Sequence, residues 1–391
     1  MTEAAADLSP DAGETSTTEA LPPIPNPLNL GLNDGTFAPQ GAIDALRSFD
    51  SRTSLRNYSL PENDELRALI GEIDGVSADQ VFLHNGSGPI LKQCIPHIIK
   101  TQIKSSAGRI FKHLTTKTGF PIITPSFTYS KVPKKALELG LKVEMVPLDP
   151  EAGFKLDLNL LEAAIQRNDG LVYITNPNNP TGNILITRDE LIPLLERYPR
   201  SRFWIDEAYV QYADPAEHSY ISSLVSRFPT LMVSRTYSFA YGLAGVRIGY
   251  LLTQPEMVKT FWGQLTDYRI GTLQERVAEG ALRDEKHLPW LRAECATQRK
   301  LLRAGLAELG GIESFDSVTN FVFCRFTDGR TGVQLAEGLR KRGILIKVIA
   351  PAGEHTYDPF FRITLGLEHE NKHLLRAMAE ELGSEVPSVV G

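Results

Sequence analysis

Cysteine is scarce in this chain, basic residues are outnumbered, and long apolar runs are missing. Only three cysteines occur in 391 residues, Cys94, Cys295 and Cys324, and they stand far apart. Such spacing gives neither a metal motif nor a disulfide framework. Lysine and arginine total 41 against 47 acids, a formal charge of −6. Nucleic-acid-binding domains usually carry a basic excess, so that class is disfavoured. No run of about 18 apolar residues is present to span a membrane. The N-terminus also lacks the basic-then-apolar pattern of a secretory signal. The expectation is a soluble cytoplasmic protein with incidental thiols.

What is present fits a globular chain: 42% hydrophobic and 23% charged residues. The length suggests two domains. Residues 1–24 are rich in Ala, Ser, Thr and Pro. They hold five acids (Glu3, Asp7, Asp11, Glu14 and Glu19) and no basic residue. A segment so poor in apolar surface cannot offset its ordering entropy and reads as a disordered tail. From Pro61 the pattern becomes regular. Leu66, Leu69, Ile70 and Ile73 recur at helical spacing. Short apolar strands at Leu171–Thr175, Phe203–Ile205 and Leu231–Val233 alternate with helical stretches at 157–168, 187–198 and 216–228. Thr187 with Glu190 forms a capping box. Alternation of this kind implies crossover connections and a mostly parallel α/β sheet.

Beyond Met257 the chain changes character. Two long helical stretches, 258–283 and 288–309, precede short strands near 321–325, 344–348 and 361–364 and a last helix near 371–382. That reads as a smaller α+β domain. Lys100, Lys104, Arg109, Lys112 and Lys117 form an acid-free basic stretch whose role stays open.

Four clusters stand at expected strand ends or helix starts, where open α/β sheets place ligands. His84-Asn85-Gly86-Ser87-Gly88 precedes a helical run, and a helix N-terminus with glycine and serine suits a phosphate, or simply caps the helix. Asn176-Pro177-Asn178-Asn179-Pro180-Thr181-Gly182 is a turn able to present an amide. Ile205-Asp206-Glu207-Ala208-Tyr209 ends a strand on a carboxylate, which needs a partner when buried. The run from Arg235 to Tyr250 carries hydroxyls and two arginines fit for charge-assisted bonds to phosphate.

Taken together, in this order, the clusters resemble the pyridoxal-phosphate (PLP) enzymes of the aspartate aminotransferase fold, and most of all histidinol-phosphate aminotransferases. The resemblance runs from about Asn57 to the C-terminus. It implies a mostly parallel large-domain sheet (57–256) with helices on both faces. A smaller α+β domain (257–391) and an N-terminal segment (25–56) packed on it would follow. It implies a homodimer acting on an amino acid or a phosphorylated amine. Gly86, Ser87, Gly88, Ser238 and Arg247 would hold the cofactor phosphate, with Tyr58 reaching across from a neighbouring subunit. Phe127 in Pro125-Ser126-Phe127 would stack on the pyridine ring. Asn179 and Tyr209 would bind the phenolic oxygen, and Asp206 the ring nitrogen. Arg362 and Asn320 would bind substrate.

One position departs decisively. Where the family has its Schiff-base lysine, this chain reads Ser238-Phe239-Ala240, with Arg247 at the family's distance of eight residues. No alignment shift supplies a lysine, because none lies between Lys155 and Lys259. The lysine would both activate the cofactor and shuttle the proton; a positioned acid/base alone contributes about 10²–10⁴ in rate. The N-terminal segment Leu32-Asn33-Asp34-Gly35-Thr36 also departs from the family's pattern.

Three readings follow. In the first, the chain is a pyridoxal enzyme holding PLP or pyridoxamine phosphate (PMP) noncovalently, with Tyr237, Tyr241 or Tyr58 moving the proton. In the second, it is a noncatalytic protein binding a phosphorylated ligand or a partner. In the third, the cleft is repurposed, with His84 and Glu207 as acid/base groups.

Overall fold

The computed structural model describes residues 23–50, 64–104, 120–218, 220–264, 270–349 and 359–391. The expected tail to residue 22, Tyr58, Arg109, Lys112 and Lys117 lie outside the described residues.

Strand β1 (Leu28–Asn29) belongs to the N-terminal segment. Strands β2 (Val81–His84), β3 (Ile122–Pro125), β4 (Val143–Val146), β5 (Leu171–Thr175), β6 (Arg202–Asp206), β7 (Leu231–Thr236) and β8 (Gly249–Leu252) build a seven-stranded sheet. Its order is β2-β8-β7-β6-β5-β3-β4. All neighbours pair parallel except those involving β8, which runs against β7 and β2. A parallel sheet needs both faces covered, so its strands read as near-continuous apolar runs. Accordingly β5 and β7 are buried along their whole length. Trp204, Tyr173 and Phe203 are among the largest fully buried side chains. Two apolar clusters lie against this sheet, one of them containing Cys94.

Strands β9 (Ile312–Ser314), β10 (Phe321–Phe326), β11 (Ile344–Leu345), β12 (Lys347–Val348) and β13 (Phe360–Thr364) follow. Four of them make an antiparallel sheet ordered β12-β13-β10-β9. The helices His287–Glu308 and Glu368–Leu382 contribute to a third apolar cluster, which buries Cys295 and Cys324. Strand β11 pairs instead with β1, in parallel, which ties the N-terminal segment to this part of the chain. The helix Gln40–Arg47 then packs along the helix Thr272–Arg283. The two backbones come so close that a β-carbon on Gly41 would meet the Gly280 carbonyl oxygen at 2.2 Å.

Local signals fixed several boundaries. Asp157 caps Leu158–Arg167, and the Thr187–Glu190 capping box starts Arg188–Arg197. The expected helix over 216–228 does not form. Only a short 3-10 turn, Ser222–Ser226, is present. The physical cause lies in Glu207, whose carboxylate accepts the Ile221 N–H at 3.1 Å and so draws that backbone into a loop. The single helix expected over 258–283 is two, Pro255–Gln264 and Thr272–Arg283. The strand expected over 344–348 is split between two sheets.

Candidate active site

The parallel strands β5, β6 and β7 end side by side, with Thr175 opposite Asp206 and Asp206 opposite Ser234. Their C-terminal ends open on a cleft. Thr175, Asn179, Asp206, Ala208, Tyr209 and Phe239 line it, together with Ser87 and Tyr129, which follow β2 and β3.

Asp206 closes the cleft floor at 3% exposure. Tyr173 donates its hydroxyl to Oδ2 at 3.0 Å, and Ser234 donates to Oδ1 at 2.9 Å. Trp204 in turn donates its indole N–H to Ser234 at 2.9 Å. Burial pushes the Asp206 carboxyl up to about 6, against the downward pull of the Ser234 and Tyr173 bonds. Among the described residues it makes no ion pair, although the through-space charge of Lys131 also favours its ionised form. It is a buried carboxylate held in place by neutral donors and facing a cavity.

Tyr209 forms the opposite side. Its hydroxyl accepts from Asn33 Nδ2 at 2.9 Å and Asn179 Nδ2 at 3.3 Å, leaving its own proton to donate. Arg362 Nη1 donates to Asn179 Oδ1 at 2.6 Å, and Nη2 to the Gly31 carbonyl at 2.7 Å. The arginine is 5% exposed, and its Nε has no hydrogen-bond partner. Burial pulls its pKa downward. A buried guanidinium with no acidic partner among the described residues is a ready anion site.

The glycine-rich turn behaves as a cradle. Gly86 (φ 99°) precedes Ser87, the first residue of the helix Ser87–Lys104. A β-carbon at Gly86 would lie 2.8 Å from Arg247 Nη2. Ser238 sits nearby on the chain after β7, its Oγ bonded by Thr236 Oγ1 at 3.0 Å. Asn320 donates from Nδ2 to the Asn33 carbonyl at 3.1 Å.

Several expectations change. Phe239 lines the cleft, its ring stacked on Tyr209 with centroids 4.5 Å apart and planes 12° from parallel. Phe127 is not among the residues that line the cleft. It turns at φ 47° and packs edge-on against Phe154 (5.2 Å) and Phe360 (5.3 Å). Tyr129, two residues on, supplies the aromatic wall. Tyr237 and Tyr241 are likewise absent from the cleft lining. They pack against each other at 5.2 Å in the apolar core, where burial drives both phenols upward. Glu207 is fixed by Arg235, whose Nε donates at 2.9 Å; Arg235 also pairs with Asp74. Its charge is spent on a buried structural network. His84 bonds Gln93 at 3.0 Å outside the cleft.

Neither Asn33, noted only as part of a departing segment, nor Lys131 carries a site role in the sequence reading. Asn33 sits at φ 62° with its backbone N–H on Thr364 Oγ1 at 3.0 Å. Its position in a departing N-terminal segment hid it. Lys131, first residue of the helix Lys131–Glu138, carries no motif that would flag it.

Solved structures share this architecture at the level of the class. The histidinol-phosphate aminotransferase of Clostridium acetobutylicum superposes with a TM-score of 0.77 at 22% identity, covering 91% of this chain and 99% of that one. That of Sinorhizobium meliloti, solved in complex with pyridoxal 5'-phosphate, gives 0.72 at 25% identity, covering 91% and 90%. The fold is therefore that of the aspartate-aminotransferase-like α/β proteins. Within it, the chain belongs to the aminotransferase class I and II family, whose model matches residues 25–378. It is similar in sequence to histidinol-phosphate aminotransferase 1 of Methylococcus capsulatus, 31% identical over 362 residues and 92% of each chain.

Proposed function

We propose that this protein binds PLP or PMP noncovalently and acts on an amino acid or a phosphorylated amine, as a homodimer, without a Schiff-base lysine. Asp206 is the observation that carries this reading. A buried carboxylate with no directly bonded cation costs free energy, and a ligand that brings a positive charge to it offsets that cost. A protonated pyridine nitrogen supplies such a charge, and the cleft is flat-walled by Tyr129 on the way to Asn179 and Tyr209. The residues fit the group: Asp206 would hold the ring nitrogen, Tyr209 and Asn179 the phenolic oxygen, and Ser87, Ser238 and Arg247 the phosphate. The bound cofactor would supply an electron sink. The protein's share is then to orient it, to clamp a substrate anion on Arg362, and to move a proton. Tyr129 and Tyr209 are the phenols that line the cleft; burial pushes Tyr129 up to about 12. A phenol held that high stays protonated near neutral pH and gives up its proton reluctantly, so turnover should be slow in this form.

The stacked Phe239–Tyr209 pair favours a second reading, in which the cleft holds a phosphorylated ligand with no turnover. An absorbance titration with PLP and with PMP, followed by amino or keto acids, separates the two. Saturable binding with spectral conversion on adding the second substrate is expected. Binding without conversion would favour the second reading, and no binding of either form would overturn the first. Asp206→Ala should lose the binding.

A further inference from the structure

Two cations converge on the turn that opens the helix Ser87–Lys104. Arg247 reaches Gly86, and the ammonium of Lys131 reaches Gly88, where a β-carbon would lie 2.7 Å from Nζ. The same ammonium stands 5.3 Å from the centroid of the Tyr129 ring, which walls the cleft. Among the described residues neither cation has an ion pair with a carboxylate. The Arg247 guanidinium donates to the Ala244 carbonyl at 2.9 Å, and the residue holds a left-handed φ of 61°. A non-glycine residue in that region is strained by about 1–3 kcal/mol, and such strain clusters at ligand sites. Burial and the neighbouring charge of Arg247 pull the Lys131 pKa down, partly offset by the Asp206 carboxylate. At this helix N-terminus, with glycine on either side of Ser87, the two like charges make no ion pair among the described residues and are offset only by the through-space charge of Asp206.

We propose that Lys131 is a second phosphate cation, which with Arg247 retains the cofactor's phosphate in the absence of a covalent tether. This inference rests on the cofactor reading above and adds a residue to it. With phenylalanine at 239, cofactor retention comes from noncovalent contacts alone. A phosphate near neutral pH carries between one and two negative charges, more than Arg247 alone neutralises. Lys131 supplies the remainder as a point charge. A β-carbon at Gly88 would push the ammonium aside from its present position.

The test is a set of equilibrium titrations with PLP and with pyridoxal, which lacks the phosphate, on wild type, Lys131→Gln and Lys131→Arg. Lys131→Gln should weaken PLP roughly 10- to 100-fold and leave pyridoxal nearly unchanged, and Lys131→Arg should recover most of the loss. Gly88→Ala should reproduce the selective loss through the ammonium it displaces. Equal PLP affinity in wild type and Lys131→Gln would overturn the inference while the cofactor reading stands. An equal loss for pyridoxal would overturn it too, since Lys131 would then act on the ring or on the fold. Borohydride fixation of PLP on Lys131 would make it a nucleophile and overturn its role as a cation. If wild type binds neither PLP nor PMP, the cofactor reading fails. Thermal stabilisation by inorganic phosphate, seen in wild type and lost in Lys131→Gln, would then preserve the anion site alone; without it both fall.

Discussion

Phe239→Lys is expected to turn the protein into a covalent PLP enzyme. Incubation with PLP should give a visible absorption band that borohydride fixes on residue 239. The rate of amino-group exchange should rise by about 10²–10⁴, the contribution of one positioned acid/base group. Position 239 already faces the cleft, so the new amine would start at the right wall. Its backbone is also held firmly: a β-carbon on Gly35 of the N-terminal segment would meet the Phe239 carbonyl oxygen at 2.1 Å. That close approach fixes where the side chain leaves the main chain. The exchange forfeits the stacking on Tyr209, about 0.5–1.5 kcal/mol. Phe239→Leu is the control, since it removes the ring and adds no amine, and no gain is expected from it. Binding of PLP by Phe239→Lys without covalent attachment would show that the cofactor sits too far from this position, and the proposed pose would fall.

Asp206→Asn should stabilise the cofactor-free protein above neutral pH while abolishing tight cofactor binding. Burial raises this acid in the folded chain to about 6. In the unfolded chain a carboxyl of this type titrates near 4. An acid raised by folding costs nothing while protonated in both states. Its penalty grows as pH climbs from about 4 to about 6 and is complete above that. The stability of Asp206→Asn relative to wild type should therefore increase by about 2–4 kcal/mol between about pH 4 and about pH 7. Urea midpoints across that range check it. A difference that stays flat would mean that Asp206 is not a costly buried charge, and the argument for a cationic ligand would lose its support. PLP or PMP should narrow the gap by stabilising wild type alone.

The sequence showed the sheet more clearly than the site. Strands such as β5 and β7 are apolar throughout because both sheet faces are covered, and that run is visible without coordinates. The carboxylate at the end of β6 and the amide at Asn179 were equally visible, since strand-end chemistry is punctuated by proline, asparagine and glycine. Distances between strands were not. Tyr237 and Tyr241 flank Phe239 in sequence, yet the turn after β7 carries their rings into the core. Phe127 sits in the expected position along the chain, but its left-handed backbone hands the aromatic wall to Tyr129. Lys131 enters only because the helix it opens packs beside Gly88, a contact between residues more than forty apart. The helix expected over 216–228 failed for a related reason, a long-range bond from Glu207 overriding local propensity.

The three cysteines that say nothing about redox chemistry have a practical consequence. Cys94 is sealed in a cluster against the large sheet, and Cys295 and Cys324 in the cluster around the small one. Burial pushes all three thiols up, Cys295 to about 12. A thiol in that state reacts with an alkylating reagent only when its surroundings open. Timed alkylation read by peptide mass thus gives two built-in clocks in the unaltered chain. One reports how often the part built on the seven-stranded sheet breathes, the other how often the part around the four-stranded sheet does, and cofactor should slow whichever part it braces.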